Sequence, residues 1–191
     1  MRESGLASLG VYYFDFRDDE KTHRRGLLSS LLFQLSDQSA TYGDILSRLY
    51  SAQRNSSHSP SDNDLARCLE DMLRFPGQAP VYLVIDALDE CPNSFDTPSP
   101  RENVLNLVEQ LVNLRLQNLR ICLSSRPEVD IQAVLDRLVF RSISLHDEEG
   151  QKQDILDYIT SVVHKDWQMR RWRAEDKKRV IDELSQKANG M

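Results

Sequence analysis

The stretch Val81-Tyr82-Leu83-Val84-Ile85-Asp86-Ala87-Leu88-Asp89-Glu90 decides the fold. Its first half is an apolar, β-branched run of strand length, and it ends in three carboxylates, which packing gives no reason to place there. In an open parallel sheet the ligand crevice lies beyond the carboxyl ends of the strands, so an acid at this position would emerge where a metal-bound phosphate can sit.

Working outward, similar runs at Val11 to Phe16, Arg120 to Ser125 and Arg141 to Leu145 read as further strands. Helical spacing separates them. One helix carries Leu27, Leu28, Leu31, Leu32 and Leu35 on one face, and a second carries Leu65, Cys68, Leu69, Met72 and Leu73. Ser61 with Asp64 is a weak start signal for the second. Ser99, Pro100 and Glu102 give a stronger one for a helix containing Val104, Leu105, Val108, Leu111 and Val112. Strands that are apolar at nearly every position, alternating with amphipathic helices, predict parallel strands covered on both faces, a three-layer α/β sandwich. Asn55 to Asn63 and Cys91 to Pro100 read as exposed loops. After His146 only helical patterns remain, with Ile155, Ile159, Val162 and Val163 on one and Val180, Ile181 and Leu184 on another. Residues 1–146 are therefore expected to form the α/β core and 147–191 the start of a helical lid.

Composition narrows the function. The chain of 191 residues is 40% hydrophobic and 28% charged, enough for one packed core. A net charge of -6 argues against capture of nucleic acid, which needs cations to displace phosphate counterions. No apolar run approaches the roughly 20 residues that span a bilayer, so a cytoplasmic protein without membrane partners is expected. Cys68, Cys91 and Cys122 are odd in number and widely spaced, which fits neither a disulfide framework nor paired metal ligands; buried packing is their expected role.

Three acids at one strand end assign candidate roles. Asp86 would hold a magnesium ion, largely through water. Glu90 is placed to orient or deprotonate a water attacking a terminal phosphate, with Asp89 supporting the metal or that water. A solvated acidic turn after an apolar strand is the competing reading. Ile121-Cys122-Leu123-Ser124-Ser125-Arg126-Pro127 is a second strand ending in polar groups; Ser125 and Arg126 are candidate nucleotide contacts, the guanidinium stabilising phosphate charge. An ion pair of Arg126 with Asp89 or Glu90 is the alternative.

The acidic segment resembles the extended Walker B motif of NACHT ATPases, and the Arg126 strand resembles their sensor 1 strand. The likeness extends through Val11-Tyr12-Tyr13-Phe14-Asp15-Phe16, Leu27 to Leu35, Ile85 to Pro92, Ile121 to Ile131, Ser144-Leu145-His146 and Lys187 to Met191. Together these look like the NACHT, or nephrocystin-like N-terminal, domain of large fungal STAND proteins. The resemblance implies an ASCE/AAA+-like P-loop NTPase core with sheet order 5-1-4-3-2. It also implies ATP and Mg2+ bound between core and lid in the intact domain, and a nucleotide-dependent signalling switch. Partners implied are the chain itself or other NACHT/STAND proteins.

One part of that pattern is missing. A GxxxxGK[ST] loop cradles phosphates with its backbone amides and lysine, yet none of the seven glycines here precedes a lysine. Truncation at both ends, weak stability and little or no binding of ATP by this chain alone are the resulting expectations. A non-catalytic interaction or oligomerisation module with the same fold is the alternative function.

Smaller signals carry less. Lys165, Arg170, Arg171, Arg173, Lys177, Lys178 and Arg179 interleave with Trp167 and Trp172, which reads as a solvated helix face over buried tryptophans. His23, His58, His146 and His164 lack metal-ligand spacing, and no nucleophile motif is present.

Overall fold

The computed structural model describes residues 6–53, 59–94, 98–144 and 149–188. It divides into two compact units, Met1–Val139 and Phe140–Met191. The first contains β1 (Ser8–Tyr13), α1 (Arg24–Ser36), α2 (Ala40–Gln53), α3 (Asp62–Arg74), β2 (Val81–Asp86), α4 (Pro100–Asn113), β3 (Leu119–Leu123) and α5 (Val129–Leu135). The second contains α6 (Glu149–Lys165) and α7 (Ala174–Lys187).

The three strands form one parallel sheet in the order β1-β2-β3, with Tyr13 opposite Asp86 and Ile85 opposite Leu123. These neighbours are the ones expected for three of the five strands in the order given above. The expected fourth run is not a strand: residues 141–144 are irregular and exposed, while Leu145 and His146 lie outside the described residues. β-branched residues favour strands only where a pleated surface is available to pack against, and Ile143 is solvent-exposed.

The fully apolar reading of the strands led to one error. Among the described residues only one face is covered. Val81, Leu83 and Ile85 are buried with Gly10 and Tyr12 of β1, whereas Tyr82, Val11 and Tyr13 on the other face are 43%, 41% and 51% exposed. Among the described residues this unit is therefore two layers, with helices on one side of the sheet, where a three-layer sandwich was expected. An apolar side chain reports a preference for burial, not the presence of a layer to bury it.

The covered face is built as the leucine spacing predicts. Leu27, Leu28, Leu31, Leu32 and Leu35 of α1 are almost wholly buried, in one cluster with the apolar stripes of α3 and α4. Gly10 lets α1 approach β1, since a Cβ there would meet Leu31 and Leu83 side-chain carbons at 2.8 and 3.1 Å. The α3 start is stronger than the sequence suggests. Ser61 and Asp64 form a complete capping box, each side chain accepting from the other residue's backbone N–H. Ser99 caps α4 as expected.

The outer edge of β1 is closed by side chains. Gln38 accepts from the Leu9 N–H at 2.9 Å and donates to the Leu9 carbonyl at 2.8 Å; Gln34 does the same for Val11 at 3.0 and 2.7 Å. Two primary amides thus stand in for a neighbouring strand. Removing both in Gln34→Ala/Gln38→Ala is expected to cost about 2 kcal/mol, at roughly 0.5–1.5 kcal/mol per bond with part of the loss recovered by water. Hydrogen exchange checks it: the Leu9 and Val11 amides should lose protection selectively, and unchanged rates would refute the role.

In the second unit, Val163 is buried on α6 while no described residue of α7 is. The tryptophans differ from expectation: Trp167 is 75% exposed and Trp172 44%. Trp167 lies beyond the end of α6, and Trp172 closes the turn Met169–Arg171, so neither shares a helical face with apolar neighbours. No helix among the described residues is long and apolar enough to cross a membrane.

Candidate functional site

β2 ends at Asp86 because Ala87 turns the chain sharply, with φ 54° and ψ 47°, a left-handed conformation that costs an L-residue about 1–2 kcal/mol. The next three residues form a 3-10 turn, Leu88–Glu90. Leu88 is fully buried and anchors the turn, and its N–H donates to the Ser124 carbonyl at 3.0 Å. Local backbone strain of this kind persists where surroundings hold it, and it accumulates at functional sites.

The anchor sends the three acids to separate partners along one edge of the sheet. Asp86 accepts a short hydrogen bond from the Ser124 hydroxyl, which in turn accepts from the Ala87 N–H at 3.0 Å. Asp89 leans to the end of β3, accepting from the Arg126 N–H at 3.0 Å and pairing with its Nε at 3.4 Å. Glu90 leans the other way and accepts from the Phe16 N–H, beyond β1, at 3.3 Å. Asp86 is the last residue of β2, and Asp89, Glu90 and Arg126 follow the carboxyl ends of β2 and β3 along the same edge of the sheet. The acids do not converge: no group of three potential metal ligands occurs among the described residues.

Arg126 is in the ion-paired arrangement that the sequence left open. Its side chain is 83% exposed, so the pair with Asp89 is worth little in stability and is readily exchanged. Ser125 points elsewhere, its hydroxyl donating to the Arg126 carbonyl. The serine that touches the acidic edge is its neighbour Ser124.

Sequence reasoning missed the residue that supports the whole edge. Arg101, in the first turn of α4, has a side chain only 6% exposed. Its Nε donates to the Cys91 carbonyl at 2.9 Å and its Nη2 to the Asp89 carbonyl at 2.6 Å. Nη1 reaches Glu128, in a short contact, and Asp130 at 3.2 Å. Burial lowers its pKa, but the hydrogen bonds to Glu128 and Asp130 prevail and raise it. One guanidinium thus joins the turn after β2 to the segment after β3. The available signal was its position: a cation in the first turn opposes the helix dipole and needs a local reason.

Cys91, far from lying in an exposed loop, is completely buried, and its thiol donates to the Thr22 carbonyl at 3.2 Å. Burial pushes its pKa up to about 12, with Arg101 acting in the opposite sense, so the sulfur is a protonated packing group and no nucleophile. Cys68 is buried likewise, but Cys122 is exposed on the open face of the sheet, against expectation. Alternation along β3 puts it there.

A carboxylate-bearing strand end flanked by an arginine, in a parallel sheet with helices on one side, defines an α/β protein with an acidic sheet edge. Residues 1–126 match the family described as Nephrocystin 3, N-terminal, and the chain belongs to that family. No curated protein and no solved structure matches it.

Proposed function

We propose that the acidic edge is the metal-binding and phosphate-sensing half of a nucleoside triphosphate site of the NACHT type. Support comes from one observation above all: Asp86, Asp89, Glu90 and Arg126 share the carboxyl edge of adjacent parallel strands. The donor set suits magnesium, which keeps several waters and takes only one or two carboxylates beside substrate phosphates. Asp86 would supply that carboxylate, with Ser124 fixing its orientation. Glu90 would hold the attacking water, and a terminal phosphate would compete with Asp89 for Arg126. ATP is the proposed nucleotide, and α6 and α7 are proposed as the start of the lid. In a longer protein such a site would act as a STAND signalling switch in the cytoplasm.

Without a glycine-lysine loop the chain by itself should bind nucleotide weakly, with Kd nearer about 1 mM than 1 μM. Equilibrium titration with a fluorescent ATP analogue tests this. Magnesium-dependent binding weakened at least about tenfold by Asp86→Ala is expected; binding indifferent to both the ion and the substitution would sink the proposal, and no binding alongside capture of a full-length NACHT partner would favour a non-catalytic interaction module instead. A second reading, a non-catalytic interaction module, is favoured by the engagement of Asp89 with Arg126 and of Glu90 with Phe16.

A further inference from the structure

Two helices of the first unit, α1 and α4, carry arginine in their first turn, where a cation opposes the helix dipole. In α4, Arg101 is answered by four acceptors, as described. In α1, Arg25 pairs with Asp62 at 2.9 Å. Arg24 has no such answer: its side chain makes no hydrogen bond or ion pair among the described residues, and its Nε is buried. A buried donor without an acceptor is costly, more so on a charged group, so the position calls for a partner from outside the chain.

Arg24 lines a cavity of about 170 Å³ walled by α3 and α4, which shares no residue with the acidic edge. Arg67 lines it too, exposed and in no ion pair among the described residues, and the side-chain amides of Asn63 and Gln110 are free to bond. Its one carboxylate, Glu70, is held by Arg74 at 2.7 Å. Two unengaged guanidiniums against one neutralised acid favour an anion. The rest of the wall is apolar, with Leu107 and Leu111 both nearly fully buried. A strongly hydrated ion such as phosphate would lose water to that surface and gain nothing from it. An apolar cavity of about 150 Å³ takes benzene, so the body that fits here is the size of one ring. We propose that the cavity binds a small amphipathic carboxylate, its oxygens on the Arg24 and Arg67 guanidiniums and a ring-sized apolar body against Leu107 and Leu111. This holds whether or not the acidic edge takes nucleotide.

Benzoate is the probe, titrated into the isotope-labelled full chain and followed by NMR at the Arg24 Nε–H and the Gln110 side-chain amide. A saturable shift with Kd of about 1 mM or tighter is expected. Benzamide, which lacks the charge, acetate, which lacks the ring, and inorganic phosphate should each bind at least about tenfold more weakly. Arg67→Ala should weaken benzoate about threefold or more, and Arg24→Met should abolish the shift at Gln110. Arg24→Met should also melt at or above the parent, because it removes a buried donor that has no acceptor; a guanidinium with a structural role would give a lower Tm instead. The proposal is overturned by the absence of a saturable shift up to about 10 mM benzoate, or by benzamide or phosphate binding as tightly. Benzoate binding retained in Arg24→Met, or a lower Tm of that variant, overturns it equally.

Discussion

Replacing Arg101 with methionine is expected to destabilise the protein by about 2–4 kcal/mol, the largest loss from any single polar side chain here. The carbonyls of Asp89 and Cys91 would lose their donors in a buried place, while Glu128 and Asp130 would lose a counter-charge. Breaking a fully buried pair costs about 3–5 kcal/mol, but these carboxylates are 43% and 38% exposed and rehydrate in part, which sets the lower figure. For a chain of this size the corresponding fall in Tm is roughly 5–15 °C. Arg101→Lys should lie between the two, because a single ammonium cannot fork to four acceptors. Urea denaturation of the three proteins is the measurement. A methionine variant within about 1 kcal/mol of the parent would mean that water replaces the guanidinium, and the supporting role would have to be given up.

Gly26→Ala is expected to be nearly as damaging, although helix propensity alone says the reverse. An alanine in a helix interior ordinarily gains about 1 kcal/mol over glycine. At this position a Cβ would lie 2.1 Å from the Glu20 carbonyl oxygen and 2.8 Å from the Tyr12 hydroxyl. The first of these is backbone in the turn Asp19–Lys21, so it cannot swing aside as a side chain would. Separating α1 from that turn should cost about 2–3 kcal/mol net. Gly43→Ala in α2 is the internal control, because its Cβ would meet the Ser36 carbonyl at 3.6 Å, an ordinary contact. Thermal melts should move in opposite directions for the two alanines. A Gly26→Ala protein as stable as the Gly43→Ala one would show that the turn is free to move.

What the sequence disclosed and what it hid follow from the range of the interactions involved. The leucines of α1, the Ser99 cap and the acidic end of β2 are local patterns, and each occurs where spacing put it. The first strand starts and ends three residues before the run Val11 to Phe16; Phe14, just past its end, is buried and still donates its N–H to the Asp86 carbonyl at 3.0 Å. α2 escaped notice although Tyr42, Ile45, Leu46 and Leu49 have helical spacing, because Gly43 and two serines dilute the pattern. The positions of Asp86, Asp89, Glu90 and Arg126 were legible because Asp86 ends β2 and the others follow a strand end within four residues. Arg101 and Ser124 were not. Arg101 is paired with Glu128 and Asp130, 27 and 29 residues on, and Ser124 with Asp86, 38 residues back, and no window of helix or strand length contains both ends of such a bond.

The paired glutamines on the β1 edge also set a vernier between helix and sheet. Four residues along a helix advance about 6.0 Å, and two along a strand about 6.6 Å, so amides at 34 and 38 meet successive outward peptides at 11 and 9 with little adjustment. A slip of one residue would shift the helix by about 1.5 Å and swing both amides about 100° around its axis. The orientation of α1 is consequently quantised: it fits in one setting, and neighbouring settings forfeit every bond at once.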